Sequence, residues 1–398
     1  MPIQVFPTPS AGASYSSQPP ASASSVLLDG QLVTAGSIST TVTGTGAPWL
    51  LYANGAGTTT ITIAGTAYTV TAGSTVGTSA YTGSQSVTVA ANFASTAPAT
   101  FTASTMPSAS SWFSVAYGNG YFVTAAFGST AGAYSTNGTT WTTSTMPSSS
   151  YWISITYGNG YYVAVAQNTT AAAYSTNGTT WTASTLPSSS NWYSVAYGNG
   201  YYVAVAYSTT AGAYSTNGTT WTASTMPNAS NWVGVAYGNG YYVAVAFGPT
   251  TSGAYSINGT TWTASTMPSS SNWHGVTYGN GYYVAVAYGP TTSGAYSTNG
   301  STWTASTMPS SSNWYGVTYG NGYFVAVANN TTSGAYSTNG STWTASTMPS
   351  NSSWYGVTYG NGSFVAVQSQ SSTAGAYFAQ PALTPVAYGI YNGATVRA

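Results

Sequence analysis

Residues 192–231 read WYSVAYGNGYYVAVAYSTTAGAYSTNGTTWTASTMPNASN, and this stretch decides the fold. WYSVAY and YYVAVA are short runs of β-branched and aromatic residues, the composition that suits a pleated, half-buried surface. Asn199-Gly200 joins them. Asn-Gly is the strongest short hairpin signal, because a type I′ turn needs positive φ at both central residues. GAYS and TWTAS form a second pair of runs about Asn217-Gly218. The stretch therefore predicts four short antiparallel strands, and no 3.6-residue apolar period competes with that reading.

The pattern repeats. Trp-x-x-Val/Ile-x-Tyr-Gly-Asn-Gly begins at Trp112, Trp152, Trp192, Trp232, Trp273, Trp314 and Trp354, at spacings of 40, 40, 40, 41, 41 and 40 residues. Tandem four-stranded units of about 40–45 residues are the signature of β-propeller blades. Runs such as Tyr-Val-Ala-Val-Ala are apolar on both faces, as expected of a sheet sandwiched between neighbours. An open solenoid is the competing architecture, but its coils are usually shorter and need caps. The ends of the array argue against it. The last unit has three strand runs (354–359, 364–368 and 374–378) and lacks TWTAST, whereas Phe101-Thr102-Ala103-Ser104-Thr105 stands alone before the first. That segment is expected to supply the outer strand of blade seven and close the ring.

The expected fold class is all-β: a seven-bladed β-propeller over residues 98–380, preceded by a small β-sandwich-like domain over 31–97 and an extended N-terminal arm over 1–30. The arm is rich in Pro, Ser and Ala, the composition of an extended linker. Residues 31–97 show strand runs (WLLYA, TTTITIA, TAYTVTA, QSVTVAA) separated by glycine. Residues 381–398 read as a C-terminal tail with one short hairpin at Asn392-Gly393.

Ser135-Thr136-Asn137-Gly138-Thr139-Thr140-Trp141 resembles the Asp-box (BNR) repeat of sialidase-like propellers, Ser-x-Asp-x-Gly-x-Thr-Trp. Matching segments start at Ser175, Ser215, Ser256, Ser297 and Ser337. Two departures stand out: Asn replaces the Asp, and the turn is one residue shorter. The resemblance covers roughly residues 99–380 and implies a propeller in which the box is a structural hairpin and its Trp packs in the blade. With the N-terminal region included, the chain looks like phage tail-fibre or virion appendage proteins that carry repeat propellers.

Composition excludes several functions. The chain has one Lys or Arg (Arg397), one Asp or Glu (Asp29), one histidine (His274) and no cysteine. A basic surface for phosphates is missing, which argues against nucleic acid. Nothing attracts anionic lipid, and no apolar run approaches the roughly 20 residues that span a bilayer. The residues 1–6, Met-Pro-Ile-Gln-Val-Phe, show no basic n-region and no apolar h-region of a secretory signal. With 36 Tyr and 14 Trp the chain is far too aromatic to be a disordered polar tract. Almost nothing titrates between about pH 2 and 9, so stability is expected to depend little on pH there.

Catalytic and cofactor chemistry is absent on the same count. Glycosidases usually need two carboxylates. The sialidases suggested by the box use an arginine triad and a tyrosine–glutamate pair, and no such set exists here. A Ser nucleophile needs a base, and no propeller carboxylate could orient His274. Clustered zinc ligands are missing, and a calcium site without carboxylates would be weak. The recurring Gly-Asn-Gly has no following helix or Lys and is not a nucleotide loop. The expectation is a non-enzyme with no catalytic residues, no metal and no cofactor. His274 follows Trp273 at a position where other units carry Phe113, Ile153, Tyr193, Val233, Tyr315 and Tyr355, and reads as a variable, aromatic-tolerant site.

Comparing the seven units with one another locates a candidate binding face. The turn between the first and second strands, Tyr-Gly-Asn-Gly, is identical in all seven, and the turn between the third and fourth is nearly so in six. In a propeller these lie on one face. Differences concentrate in the loop between the second and third strands, on the opposite face, at Phe127, Gln167, Tyr207, Phe247, Tyr288, Asn329 and Gln368, and the one-residue insertions fall there too. Loops on a rigid scaffold carry function, and this aromatic, amide and hydroxyl mix suits sugars. The seven repeat Trp residues fit either an aromatic ring at the channel mouth or packing between blades.

These readings expect a virion structural or appendage protein, a fibre or decoration, located on the virion. Residues 1–97 would contact other virion proteins, the protein would be a homo-oligomer within an assembly, and the propeller would face host-surface glycans. It would bind no nucleic acid and insert in no membrane. The alternatives are a cellular secreted or surface lectin-like module, extracellular or at the cell surface, and a purely structural filament or sheath subunit.

Overall fold

The computed structural model of the protein describes residues 27–28, 31–32, 37–53, 58–71, 75–90, 96–380 and 388–391. Every regular element among them is a strand. No helix there is long and apolar enough to cross a membrane. The chain divides into two compact units, one comprising Met1–Thr96 with Gln380–Ala398 and the other Ala97–Ala379.

In the larger unit each repeat pairs as its sequence dictates. The first strand of the repeat quoted above pairs antiparallel with Tyr201–Tyr207, that with Thr209–Ser215, and that with residues 222–225. The outer strand of one repeat runs on into the inner strand of the next, so Thr182–Gly198 and Thr222–Gly238 each serve two sheets, with the register shifting between the halves. Asn199 and Gly200 sit at φ 46° and 83°, and their six counterparts match them, as a type I′ turn requires. The preceding Gly198 is fixed by packing: a Cβ there would fall inside the ring of Tyr237 from the next repeat.

The second turn is held by side chains. Ser215 Oγ accepts the Gly218 N–H at 2.9 Å, and Asn217 Oδ1 accepts the N–H groups of Thr219 and Thr220 at 3.0 Å each. Asn therefore supplies the acceptor that an Asp-box carboxylate would supply, without adding charge. Trp221 Nε1 donates to Gly218 O at 3.2 Å, closing the hairpin.

The strand Tyr-Val-Ala-Val-Ala explains how repeats stack. A strand points successive side chains to opposite faces. Val163 and Val165 pack against the next repeat's Trp192, Val195, Tyr202, Ala204 and Trp221. Tyr162, Ala164 and Ala166 face the other way, with Trp152 and Trp181, onto Val123 of the previous repeat. Each core is thus a valine face against a Trp/Tyr/Ala face. The set is complete, because Val365 and Val367 of the last repeat pack against Trp112, Val115 and Phe122 of the first. The seven repeat Trp side chains are at most 1% exposed, so they pack between sheets and do not line the channel mouth.

Residues 102–105 pair with residues 374–377 (Thr102↔Tyr377, Ala103↔Ala376, Ser104↔Gly375, Thr105↔Ala374), giving the last repeat its fourth strand. In the middle of the array the outer strand of each repeat bridges the Asn-Gly-Thr/Ser-Thr turn of the next, as in Thr307↔Thr342. The last repeat has no such turn. Phe101 N instead donates to Thr347 O at 2.8 Å and Thr347 N to Ala99 O at 2.9 Å. Residues 99–105 therefore replace both missing pieces.

The smaller unit corrects two expectations. Its described residues form a two-stranded pair (Leu27–Leu28 with Gln31–Leu32) and one antiparallel five-stranded sheet, ordered Tyr388–Tyr391, Ser37–Ala53, Thr75–Ala90, Thr58–Ile63, Thr66–Thr71, where a sandwich was expected. The first of these strands comes from the segment read as a free tail: Tyr388 to Tyr391 pair with Ala53 to Leu50. Gln380 joins the same unit, accepting the Thr96 N–H at 2.8 Å and donating to Thr96 O at 3.1 Å. The arm over 1–30, apart from residues 27–28, and the hairpin at Asn392-Gly393 lie outside the described residues.

Directly opposed antiparallel residues have Cα separations of about 4.5–5.5 Å, within disulfide range. The cysteine-free chain permits a clean test of closure. Thr105→Cys combined with Ala374→Cys should cross-link on mild oxidation and raise Tm. A folded double variant that stays uncross-linked would rule out the closure.

Candidate functional site

The inner strands of all seven repeats surround one cavity of about 170 Å3. The first two residues after each repeat Trp line it, joined by the third in five of the repeats. The third is Val or Ile throughout, from Val115 to Val357. The second is Ser in the first three repeats, and its hydroxyl ties neighbours together: Ser114, Ser154 and Ser194 Oγ accept the N–H groups of Ile155, Val195 and Val235 at 3.1–3.2 Å. In the other four it is glycine, where a Cβ would strike the next strand's backbone.

The first lining residue is the variable one: Phe113, Ile153, Tyr193, Val233, His274, Tyr315 and Tyr355. Five of these are aromatic, and several meet. Ring centroids lie 3.6 Å apart for Tyr315–Tyr355, 3.9 Å for His274–Tyr315 and 4.4 Å for Phe113–Tyr355. Tyr355 Oη donates to Tyr315 Oη. Desolvation raises the pKa of Tyr193, Tyr315 and Tyr355 above the ordinary phenol range, so these hydroxyls stay protonated donors.

Around this cluster stand residues singled out from the sequence. Phe127 packs on Phe113 at 4.8 Å, Tyr207 on Tyr193 at 6.0 Å, Phe247 on His274 at 6.3 Å, and Tyr288 on Tyr315 at 5.0 Å. The Gln167 amide lies beside the Tyr193 hydroxyl. The other two are more buried: Asn329 is 9% exposed and Gln368 is fully buried. The Gln368 amide is spent on its own loop, accepting the Gln370 N–H at 2.8 Å and donating to Gln370 O and Ser372 O. A longer loop that folds over its own glutamine takes that side chain away from solvent. Of the seven sequence-derived residues, five frame the cluster, Asn329 is buried, and the Gln368 amide is spent on its own loop.

On the other face the two regular turn sets meet: Asn280 Nδ2 donates to Thr338 O and Asn361 Nδ2 to Thr136 O of the following repeat, each at 3.2 Å. Those asparagines serve assembly of the ring.

Sequence reasoning passed over one residue. Tyr151 is 48% exposed and stacks on Phe127, with centroids 4.7 Å apart and planes 26° from parallel. The signal was available, since the residue before the repeat Trp is Asn in four units and Ser in two, and Tyr only here.

A β-propeller holds this site. Solved structures share the fold over most of the chain. They include a virginiamycin B lyase from Staphylococcus aureus, at 12% identity over 70% of this chain and 98% of that one with TM-score 0.63. A streptogramin B lyase follows at 13% identity over 70% and 97%, TM-score 0.63. YCF48 bound to D1 peptide matches at 15% identity over 73% and 97%, TM-score 0.56. Likeness at these identities shows the fold. No protein-family model matches the chain, and the search of curated proteins returns no match.

His274 revises the expected indifference to pH. Its ring is buried among Tyr193, Phe247, Tyr315 and Tyr355, Nδ1 lies 3.3 Å from Tyr315 O, and Nε2 has no partner. Burial pushes its pKa from 6.5 down to about 3. The folded protein therefore holds the ring neutral while the unfolded chain protonates it below pH 6.5. Stability should be full above pH 6.5, fall as pH drops, and level off near pH 3, with a total loss on the order of 5 kcal/mol. Urea midpoints at pH 7, 5 and 3 read this directly. His274→Tyr, the residue type three other repeats use, should flatten the profile.

Proposed function

We propose that the protein is a non-enzymatic virion appendage: a seven-bladed propeller that follows a small β domain along the chain and presents its variable face to host-surface glycans. The observation that carries the reading is the division between the two faces. One is built of near-identical turns bonded to each other. The other gathers Phe127, Gln167, Tyr207, Phe247 and Tyr288 around a mouth of tyrosines. Aromatic rings offer apolar faces to sugar C–H groups, and amides and phenols offer hydrogen bonds to hydroxyls. The sheets hold both in place, which lowers the ordering cost of binding.

The division into two compact units supports a display role, in which residues 1–97 contact other virion proteins within a homo-oligomeric assembly. The described residues include no Lys, Arg, Asp or Glu, which suits a particle exposed to varied salt, because there is little surface charge to screen.

One structural neighbour, a virginiamycin B lyase, is catalytically inactive as a histidine-to-alanine variant. His274 invites comparison, but what surrounds it supports binding over catalysis. Burial holds its pKa near 3, far below the operating range of an efficient general base. Four aromatic rings pack against it, and no described residue carries a carboxylate side chain to orient it.

Two measurements test the reading. Immunogold labelling of purified particles should place the chain on the exterior, and the purified protein should bind a glycan array. A chain found only free in the cytosol would refute the appendage role. Binding by the protein combined with a cellular surface location would transfer it to the lectin-like alternative.

A further inference from the structure

Six repeats place a short polar residue before the buried Trp: Asn191, Asn231, Asn272 and Asn313 in four, Ser111 and Ser353 in two. The second repeat places Tyr151 there. The large apolar side chains that stand exposed among the described residues are Tyr151 and Ile257, the latter in a turn between third and fourth strands. Tyr151 alone stands beside the aromatic cluster.

Its surroundings form a row. Tyr151 is directly opposed to Phe127 on one side and to Gln167 on the other, so the three side chains share a face. One side of the Tyr151 ring is laid on Phe127, which is laid in turn on Phe113 at the mouth. Gly128, beside the ring, sits at φ 67°, a left-handed conformation that favours glycine. Ser149 Oγ donates to Gly128 O at 3.3 Å and pins the loop. Next to Gln167, Asn168 is exposed with φ 56°. The result is a ring fixed from below and open to solvent, with Gln167 directly opposed to it and the exposed Asn168 next along the chain.

We propose that Tyr151 is the stacking platform of a subsite for a neutral pyranose, with Gln167 and Asn168 hydrogen-bonding its hydroxyls. This deepens the glycan reading of the variable face and rests on it. The C–H face of the sugar lies on the ring, and amides match hydroxyls as both donor and acceptor. Sugars bearing a carboxylate gain nothing here, because no Lys or Arg lies among the described residues to pair with it. Stacking on Phe127 holds the platform before the ligand arrives, so little side-chain freedom is lost on binding.

Tyr151→Asn installs the residue that four other repeats already use, so the fold is retained and Tm should match that of the parent protein. Saturation-transfer NMR with the methyl glycosides of glucose, galactose, mannose and N-acetylglucosamine reads binding, with the methyl glycoside of sialic acid as the charged comparison. At least one neutral glycoside should bind, with transfer strongest at its ring C–H protons. Its affinity should fall at least tenfold in Tyr151→Asn and severalfold in Gln167→Ala, and the sialoside should bind more weakly. Equal binding by the parent and Tyr151→Asn would overturn the subsite. If Tyr288→Asn then abolished that binding, the glycan reading of the face would stand without it. A parent protein that binds none of the glycosides would overturn the subsite too, and a silent glycan array would remove the broader reading separately.

Discussion

Everything in the larger unit depends on a mismatch between the two faces of one strand. Tyr-Val-Ala-Val-Ala puts valines on one side and Tyr with small alanines on the other. Neither face matches itself. The alanines leave space that the Trp indoles fill, and the valines of the preceding repeat close against them. A linear stack of such repeats would end in a bare Trp112 face and a bare Val365 face. Burying a Trp is worth several kcal/mol, so the two ends find each other. Closing the ring is the way this sequence buries its last two faces.

Neutrality follows from the same design. The repeats hold together through apolar cores, inter-repeat backbone bridges and hydroxyl or amide hydrogen bonds. Ser114 Oγ to Ile155 N and Tyr202 Oη to Gly158 O and Tyr161 O are examples. Asn217 does in its turn what an aspartate could do, at no cost in charge. In a chain assembled this way, a buried ionisable group stands out, and His274 is that group.

The division between constant and variable positions has a mechanical origin. Tyr-Gly-Asn-Gly is constrained three times over: by the I′ turn, by the Tyr ring lying on the neighbouring glycine, and by hydrogen bonds to the next repeat. The loop between the second and third strands touches fewer fixed partners, so it accepts Phe, Gln, Tyr or Asn and even an inserted residue. The freedom to vary and the capacity to recognise a ligand occupy the same loops for that reason.

Strands, turns, repeat length and the missing fourth strand were legible along the chain because each depends on residues close in sequence, or on a pattern repeated seven times. The candidate face was legible in part. The aromatic members framing the mouth were found from their variation, but variation alone could not separate Tyr288, which packs on the tyrosine cluster, from Gln368, whose amide folds back on its own loop. Tyr151 lies within a strand, and its exposure depends on what the neighbouring loops leave uncovered. What the amino-acid order settled is the repeat and its hairpins, since local backbone chemistry is enough to specify them. Contacts beyond the local hairpins settled the rest: the pairing of Tyr388–Tyr391 with the strand Ser37–Ala53, the burial of His274, and the exposure of Tyr151. No local rule encodes which side chains such contacts cover and which they leave open to solvent.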